Sequence, residues 1–431
     1  MAKNANNKVS IWQSLHNAWK VQDIRKKLIY TFLMLILFRL VGVIPAPGVD
    51  YVRVKSAMSG SNLPLLDLVN MMTGSNFSNM TIMAMGITPY INSSIIMQLL
   101  TIAIPALERL SKSGPEGQKK IASITRYVTI VLAVIQAIGL VYSLGYIKSG
   151  WFNTVLVGVS MAAGTALAMW IGERITKNGL GNGVSLLIFA GIISNLFNGF
   201  TSLIANAFSA TSLTPWLTLL AVLLFALVMI VVVTFVDMGV RRIQVQYAKR
   251  VTGRKMYGGQ SSILPLKVCS VGVMPLIFAY SFMAFPSTLI QLFGGSESGL
   301  GLWWSRYMNY YSPLYMIVTA LLIIAFTYFY TSISFQPDEM AKNIQQQGGV
   351  IPHVRPGKPT ADFLARTNNR LTLFAALFLA VLATLPNLFT VGLQTSVPFA
   401  ASSLLIAVSV VLETKRQLDD LLVSRNYDTL T

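Results

Sequence analysis

Apolar residues along the chain gather into ten long runs, beginning near Leu28, Thr81, Tyr127, Asn153, Gly183, Trp216, Val268, Pro313, Leu371 and Ser396. Crossing about 30 Å of hydrocarbon takes roughly 20 helical residues, and each run can supply them. Ten spans divide into two fives, and because five is odd the second five must run through the membrane in the opposite sense. The pattern therefore predicts an all-α membrane protein of ten transmembrane helices in two inverted five-helix halves. The halves fall at residues 28–204 and 205–412, between a polar amino tail (1–27) and a carboxyl tail (413–431). Two connections, around 237–267 and 334–370, are far longer than a turn between helices needs. A further apolar stretch with Leu65, Leu66, Leu68, Val69, Met71 and Met72 is too short to span. It is either an interfacial helix or a movable element folded into a cavity.

Composition supports the membrane reading, since 54% of the 431 residues are hydrophobic and 11% are charged, against about a quarter charged in soluble proteins. A single cysteine (Cys269) and two histidines (His16, His353) exclude a disulfide framework or a four-ligand zinc cluster within the chain, so neither a metal nor a cofactor is expected. No nucleophile and base stand at a recognisable spacing, and acids are scarce within the spans, so no enzyme is expected. The polar first 27 residues, followed by an apolar run that leads to Pro45 and Pro47, lack the form of a cleavable signal. The first span is expected to stay in the mature protein.

Charge sets the orientation. Of the 33 Lys and Arg, 28 fall in the two tails and the even-numbered connections, 4 fall on the other face, and Arg39 lies inside the first span. Because cytoplasmic loops hold the cationic excess, both termini are expected in the cytoplasm. The net charge of +18 would suit nucleic acid, but cations flanking membrane spans are also explained by anionic lipid. The two long loops add the expectation that something cytoplasmic docks there.

Two matching motifs mark the second span of each half, Gly86-Ile87-Thr88-Pro89 and Gly272-Val273-Met274-Pro275. Gly and Pro both weaken helices, so the motifs are expected to interrupt their spans, and paired interruptions at repeat positions point to a central pathway. Ion-coupled transporters place ionisable groups in their spans; here Arg39 is the one such group in a confident span. A pathway driven from outside the chain fits better, with an apolar constriction. Ile87 and Ile91 stand one helical turn apart, as do Val184 and Ile188, although plain aliphatic packing gives the same spacing. The stretch Asn178-Gly179-Leu180-Gly181-Asn182-Gly183 lacks the Lys-Ser/Thr of a phosphate loop and reads as a tight turn opening the fifth span. A secondary transporter with the same inverted symmetry remains the alternative, one that would depend on an intramembrane polar residue such as Asn92 or Gln136. A membrane scaffold without transport is a third.

Several stretches carry a family resemblance: Phe38-Arg39 with Ile44-Pro45-Ala46-Pro47-Gly48, Gly86 to Ile91, Gly181 to Ser185, Arg241-Arg242, Tyr247 to Arg250, Leu264 to Lys267 and Val354-Arg355-Pro356-Gly357. In this order, over nearly the whole length, the chain resembles bacterial SecY, the channel subunits of the Sec preprotein translocase. The resemblance implies a protein-conducting channel of the general secretory pathway in the bacterial plasma membrane. Unfolded preproteins would pass through a pore between the halves, and apolar segments such as signal sequences would leave sideways into membrane lipids. It implies a pore ring of Ile87, Ile91, Val184, Ile188, Ile277 and Ile406, and a lateral gate near Asn92, Phe285, Pro89 and Pro275. The stretch from about 63 to 80 would be a plug. Arg241, Arg242, Lys249, Arg250, Arg254, Lys255, Arg355 and Lys358 would dock the SecA motor or the ribosome. Arg39 would brace the first span, with snorkelling toward polar backbone as the alternative. Small membrane partners SecE and SecG are implied as well.

Overall fold

The computed structural model describes residues 19–49, 74, 76, 79–143, 151–209, 214–247, 250–252, 255–257, 261–269, 272–289, 299–308, 312–393 and 401–428. A helix lies at each of the ten apolar runs: α1 (Gln22–Val41), α2 (Thr88–Ala103), α4 (Pro115–Ser143), α5 (Trp151–Asn178), α6 (Gly183–Ser209), α7 (Thr214–Asp237), α8 (Met274–Leu289), α10 (Pro313–Ser334), α12 (Lys358–Leu393) and α13 (Ala401–Asp428). Shorter helices are α3 (Pro105–Lys112), α9 (Gly299–Tyr307) and α11 (Pro337–Gln346). Among the described residues, six helices are long and apolar enough to cross a membrane, or seven if α2 and α3 count as one span bent by 102°. This is a mostly helical, multi-pass membrane protein.

In α7, Val222, Ala226, Met229 and Val233 form one buried stripe while Leu220, Leu224, Leu227 and Val231 are exposed. A helix apolar on every side belongs in hydrocarbon, where only packing distinguishes its faces. The bend between α2 and α3 has a local cause, since Ile104 is extended ahead of Pro105, as a residue before proline prefers. Beyond it α3 is polar, and Lys112 holds the Glu108 carboxyl below its ordinary pKa through a 2.7 Å hydrogen bond.

The two Gly-x-x-Pro motifs do not interrupt their helices as expected. Both start them. Gly86 and Gly272 have φ of 51° and 62°, and Pro89 and Pro275 are the second residues of α2 and α8. A left-handed glycine turns the chain and a proline in the first turn costs no hydrogen bond, so the pair is a start signal. The six residues 82–87 ahead of α2 are turns, anchored by a bridge between Pro45 and Thr81 and by bonds from Ala46 N to Met80 O (3.0 Å) and Ile82 N to Ile44 O (2.9 Å).

The Asn178–Gly183 stretch is a tight turn between α5 and α6. Asn182 Oδ1 accepts from the Val184 amide at 3.1 Å, and Thr31 Oγ1 accepts from the Leu180 amide at 2.9 Å. A Cβ on Gly183 would stand 1.9 Å from the Gly172 carbonyl oxygen. Gly183→Ala is therefore expected to cost about 1–3 kcal/mol or more, read as a fall in the melting temperature of the detergent-solubilised protein. Gly299→Ala, where a Cβ meets nothing within 4 Å, should leave that temperature unchanged or slightly raised.

The all-α expectation needs correction. The long connections contain strands β1 (Val240–Tyr247), β2 (Arg250–Thr252), β3 (Lys255–Tyr257), β4 (Ser261–Lys267) and β5 (Gly349–Val350). β1 pairs antiparallel with β4 and with β5, joining the two long loops in one sheet ordered β4-β1-β5. The alternation of Ile243 and Val245 (buried) with Gln244 and Gln246 (exposed) explains why: one face packs with Leu266, Ile344, Ile351 and Leu364 into a core of its own.

The chain divides into two compact units, one of Met1–Ser212, Ala284–Arg306 and Ile406–Thr431, the other of Leu213–Met283 and Tyr307–Leu405. In the first, Ile24, Leu180 and Leu418 bring α1, the α5–α6 turn and α13 together. The second holds the sheet core.

Candidate pore, gate and docking surface

In the first unit the Ile91 amide donates to the Ile87 carbonyl at 3.1 Å, so both side chains occupy one face of the opening turn of α2. Both are buried, as is Ile188 on α6, with Val184 half-buried one turn before it. Ile406, on α13, is buried in the same unit. Ile277 lies in the first turn of α8, in the second unit, and is buried too. Every residue of the expected ring is thus aliphatic and at least half removed from solvent.

Arg39 meets polar backbone on both sides. Its guanidinium donates to the Gly74 carbonyl at 3.3 Å and to the Ala190 carbonyl on α6. It thereby ties the end of α1 to α6 and to the residue at position 74. A Cβ on Gly74, whose φ is 72°, would come within 2.6 Å of that guanidinium. The segment then returns through Asn76, whose carbonyl accepts from the Thr81 amide at 3.1 Å, while its Nδ2 is buried without a partner. Leu65, Leu66, Leu68, Val69, Met71 and Met72, expected to form the plug, lie outside the described residues.

Asn92 sits one residue beyond Ile91 on α2, and its Oδ1 is buried with no hydrogen-bond partner. An unpaired buried acceptor costs about 1–3 kcal/mol, so a helix carries one only where something else offsets it. Pro89 and Pro275 are buried; Phe285 lies in α8. On the second unit Phe278 meets Phe326 and Tyr330 edge-on, at 6.0 and 5.9 Å between ring centres, holding α8 against α10.

The expected docking residues separate by strand geometry. Arg242 and Arg241 are both exposed, but alternation sets Arg241 on the face of β1 that carries Ile243 and Val245, and Arg242 on the opposite one. Arg250 and Lys255 begin the paired strands β2 and β3; Lys249 and Arg254 lie outside the described residues. Arg355 and Lys358 are exposed beside the start of α12. The Arg355 carbonyl accepts from Thr360 Oγ1 at 2.8 Å, and Gly357 turns the chain with φ of 95°. Arg370, which lines a pocket with Arg241, was missed by sequence reasoning; its signal is that it is the last cation before the apolar run of α12.

Comparison with known proteins decides the family. The SecY family pattern matches residues 81–415. A protein translocase subunit SecY from Streptomyces scabiei is 41% identical over 433 residues, covering 95% of this chain and 98% of the relative. The chain belongs to the SecY family. Its Bacillus licheniformis relative, also a protein translocase subunit SecY, is 41% identical over 430 residues, with 97% and 99% covered. Among solved structures, a protein-conducting channel aligns over 92% of both chains with a TM-score of 0.68 at 20% identity. Sec61 in the canine ribosome-channel complex from the endoplasmic reticulum aligns over 92% of both with a TM-score of 0.64 at 18% identity. At such identities the likeness is one of fold. SecY is a family of translocation channels rather than enzymes.

Proposed function

We propose that the chain is the protein-conducting channel of the general secretory pathway, passing unfolded preproteins across the bacterial plasma membrane. The identity of about 40% with protein translocase subunits, sustained along almost the whole chain, carries this reading. None of the comparisons favours the small-solute transporter. The ten helices act as ten spans in two inverted halves, with both termini cytoplasmic. The six aliphatic residues collapse into a seal that blocks ions by dewetting and fits loosely around any passing sequence. The stretch from 63 to 80 closes the outer side as a plug, held in place through Arg39. Apolar signal sequences leave between α2 and α8, at a gate marked by Asn92, Phe285, Pro89 and Pro275, into membrane lipids. SecE and SecG complete the membrane complex. SecA or the ribosome docks on Arg241, Arg242, Lys249, Arg250, Arg254, Lys255, Arg355 and Lys358, where guanidinium forks suit carboxylates and RNA phosphates.

Reconstitution of the chain with SecE and SecG in liposomes, supplied with SecA, ATP and a secretory precursor, tests the reading. Protease-protected precursor is expected only when all are present, and saturable uptake of a small solute without any precursor translocation would refute it. Orientation has its own test. With Cys269 replaced by Ser, an impermeant thiol reagent outside intact cells should label a cysteine at Ser212 and spare one at Lys342. The reverse pattern would overturn the ten-span topology.

A further inference from the structure

The carboxyl helix α13 outlasts its apolar run. Glu413, Lys415, Arg416, Asp419 and Asp420 make the part from 413 to 428 unsuited to hydrocarbon, yet it stays helical to Asp428. One face of it is different. Thr414, Leu418, Leu421 and Leu422 recur at helical steps, and Leu418 is 3% exposed among charged neighbours. What covers it comes from distant parts of the chain. Leu418 packs with Ile24 of α1 and Leu180 of the α5–α6 turn, and Val21, Leu28, Leu421 and Leu422 pack around these three.

The turn is gripped from both sides. Val21, Ile24, Leu28 and Thr31 share a face of α1, and Thr31 Oγ1 accepts from the Leu180 amide at 2.9 Å. A Cβ on Gly179 would stand 2.5 Å from the same hydroxyl oxygen, and one on Gly181, whose φ is 85°, would stand 3.2 Å from Thr414 Oγ1. The two glycines thus let the backbone of the turn lie directly against α1 and α13. The place of this clasp matters because of what each helix carries next. Val184 and Ile188 stand three and seven residues beyond Gly181, at the start of α6, and Ile406 stands eight residues before Thr414, about 12 Å along α13. Two helices that carry constriction candidates are therefore joined a few turns away from them, by segments more than two hundred residues apart in sequence.

We propose that the extension of α13 is a strap: Leu418 and Thr414, seated on Leu180 and Gly181, hold the helix bearing Ile406 to the turn that leads to Ile188 and so keep the resting constriction narrow. Both are positioning residues, acting through Ile188 and Ile406. A dewetted seal is lost once its walls move apart enough to admit water, so freedom of α13 to swing becomes leak. The inference deepens the channel reading and rests on its candidate ring.

Resting ion conductance in planar bilayers, measured on the full-length protein with any subunits that stay attached, provides the test. Leu418→Ala and Leu180→Ala should each raise it by about tenfold, less than the whole of what emptying a leucine site forfeits. Leu418→Met, which refills the site, should stay near the wild-type level. Leu364→Ala opens a comparable cavity in the separate sheet core; it should lower the melting temperature as much and leave the conductance unchanged, which a general loosening of the protein cannot do. Combining Leu418→Ala with Ile188→Asn should add little to the leak of Ile188→Asn alone, since both act on one seal. Should Leu418→Ala fail to assemble, Leu418→Val, with its smaller cavity, carries the same comparison. Wild-type conductance in the Leu418 and Leu180 variants, beside a leak in Ile188→Asn, would overturn the strap and leave the ring standing. Wild-type conductance in Ile188→Asn as well would remove the ring, and the strap with it. A leak from Leu364→Ala equal to that from Leu418→Ala would also overturn the strap, since lost stability then explains both.

Discussion

Replacing Arg355 by Glu is expected to reduce ATP-driven precursor import to background while the channel still assembles. The side chain is exposed, and the turn that presents it is held by backbone features, the Thr360 hydroxyl on the Arg355 carbonyl and the left-handed Gly357. The substitution therefore changes what a partner meets and leaves the fold of the turn intact. An acidic motor surface that gains from a guanidinium fork faces a carboxylate instead, and it loses both the hydrogen bonds and the favourable field. Losing one desolvated charge pair costs about 2–5 kcal/mol, so affinity should fall at least about thirtyfold before repulsion is counted. Arg355→Lys, which keeps the charge without the fork, should import at an intermediate rate. Wild-type import by the Glu variant at physiological salt would refute the docking role.

Ile87→Asn and Ile188→Asn should each raise the resting ion conductance of the channel in planar bilayers. Both side chains are buried, at 6% exposure each; Ile87 immediately precedes α2 and Ile188 sits in the second turn of α6. A dry aliphatic constriction excludes ions because water leaves it, and an amide offers water a partner worth about 1–3 kcal/mol. That shifts the balance from dry to wet by about tenfold or more, and leak should rise accordingly. Ile87→Val, which keeps the surface apolar, should stay near the wild-type level. Unchanged conductance in both Asn variants, with normal expression, would mean that these residues only pack.

The family motifs illustrate how far reading residues along the chain goes. Both Gly-x-x-Pro pairs stood out as functional markers, and they occupy matching places, but their expected role as helix breaks was the reverse of the structural one. Gly and Pro weaken a helix interior and favour its start, and only knowing where the first turn begins separates the two. Arg39 is similar. Its place within an apolar run made it conspicuous, whereas its partners, the carbonyls of Gly74 and Ala190, are 35 and 151 residues away and belong to the backbone, which leaves no mark on composition. The unpaired Asn92 Oδ1 is visible only once its surroundings are known.

Hydrophobic length by itself determined the helical, multi-pass character, because a backbone in hydrocarbon must satisfy its own hydrogen bonds and an apolar run of about 20 residues can do so only as a helix. The single cysteine and the two histidines likewise leave no means of building a disulfide framework or a four-ligand zinc cluster within the chain. Tertiary structure alone decided what the two long loops become. β1 and β4 come from one loop, but β5 comes from the other, about a hundred residues further along the chain, and no local period announces that pairing. Their union, with the burial of Ile243 and Val245, brings Arg241 and Arg370 to one pocket although they are far apart in sequence.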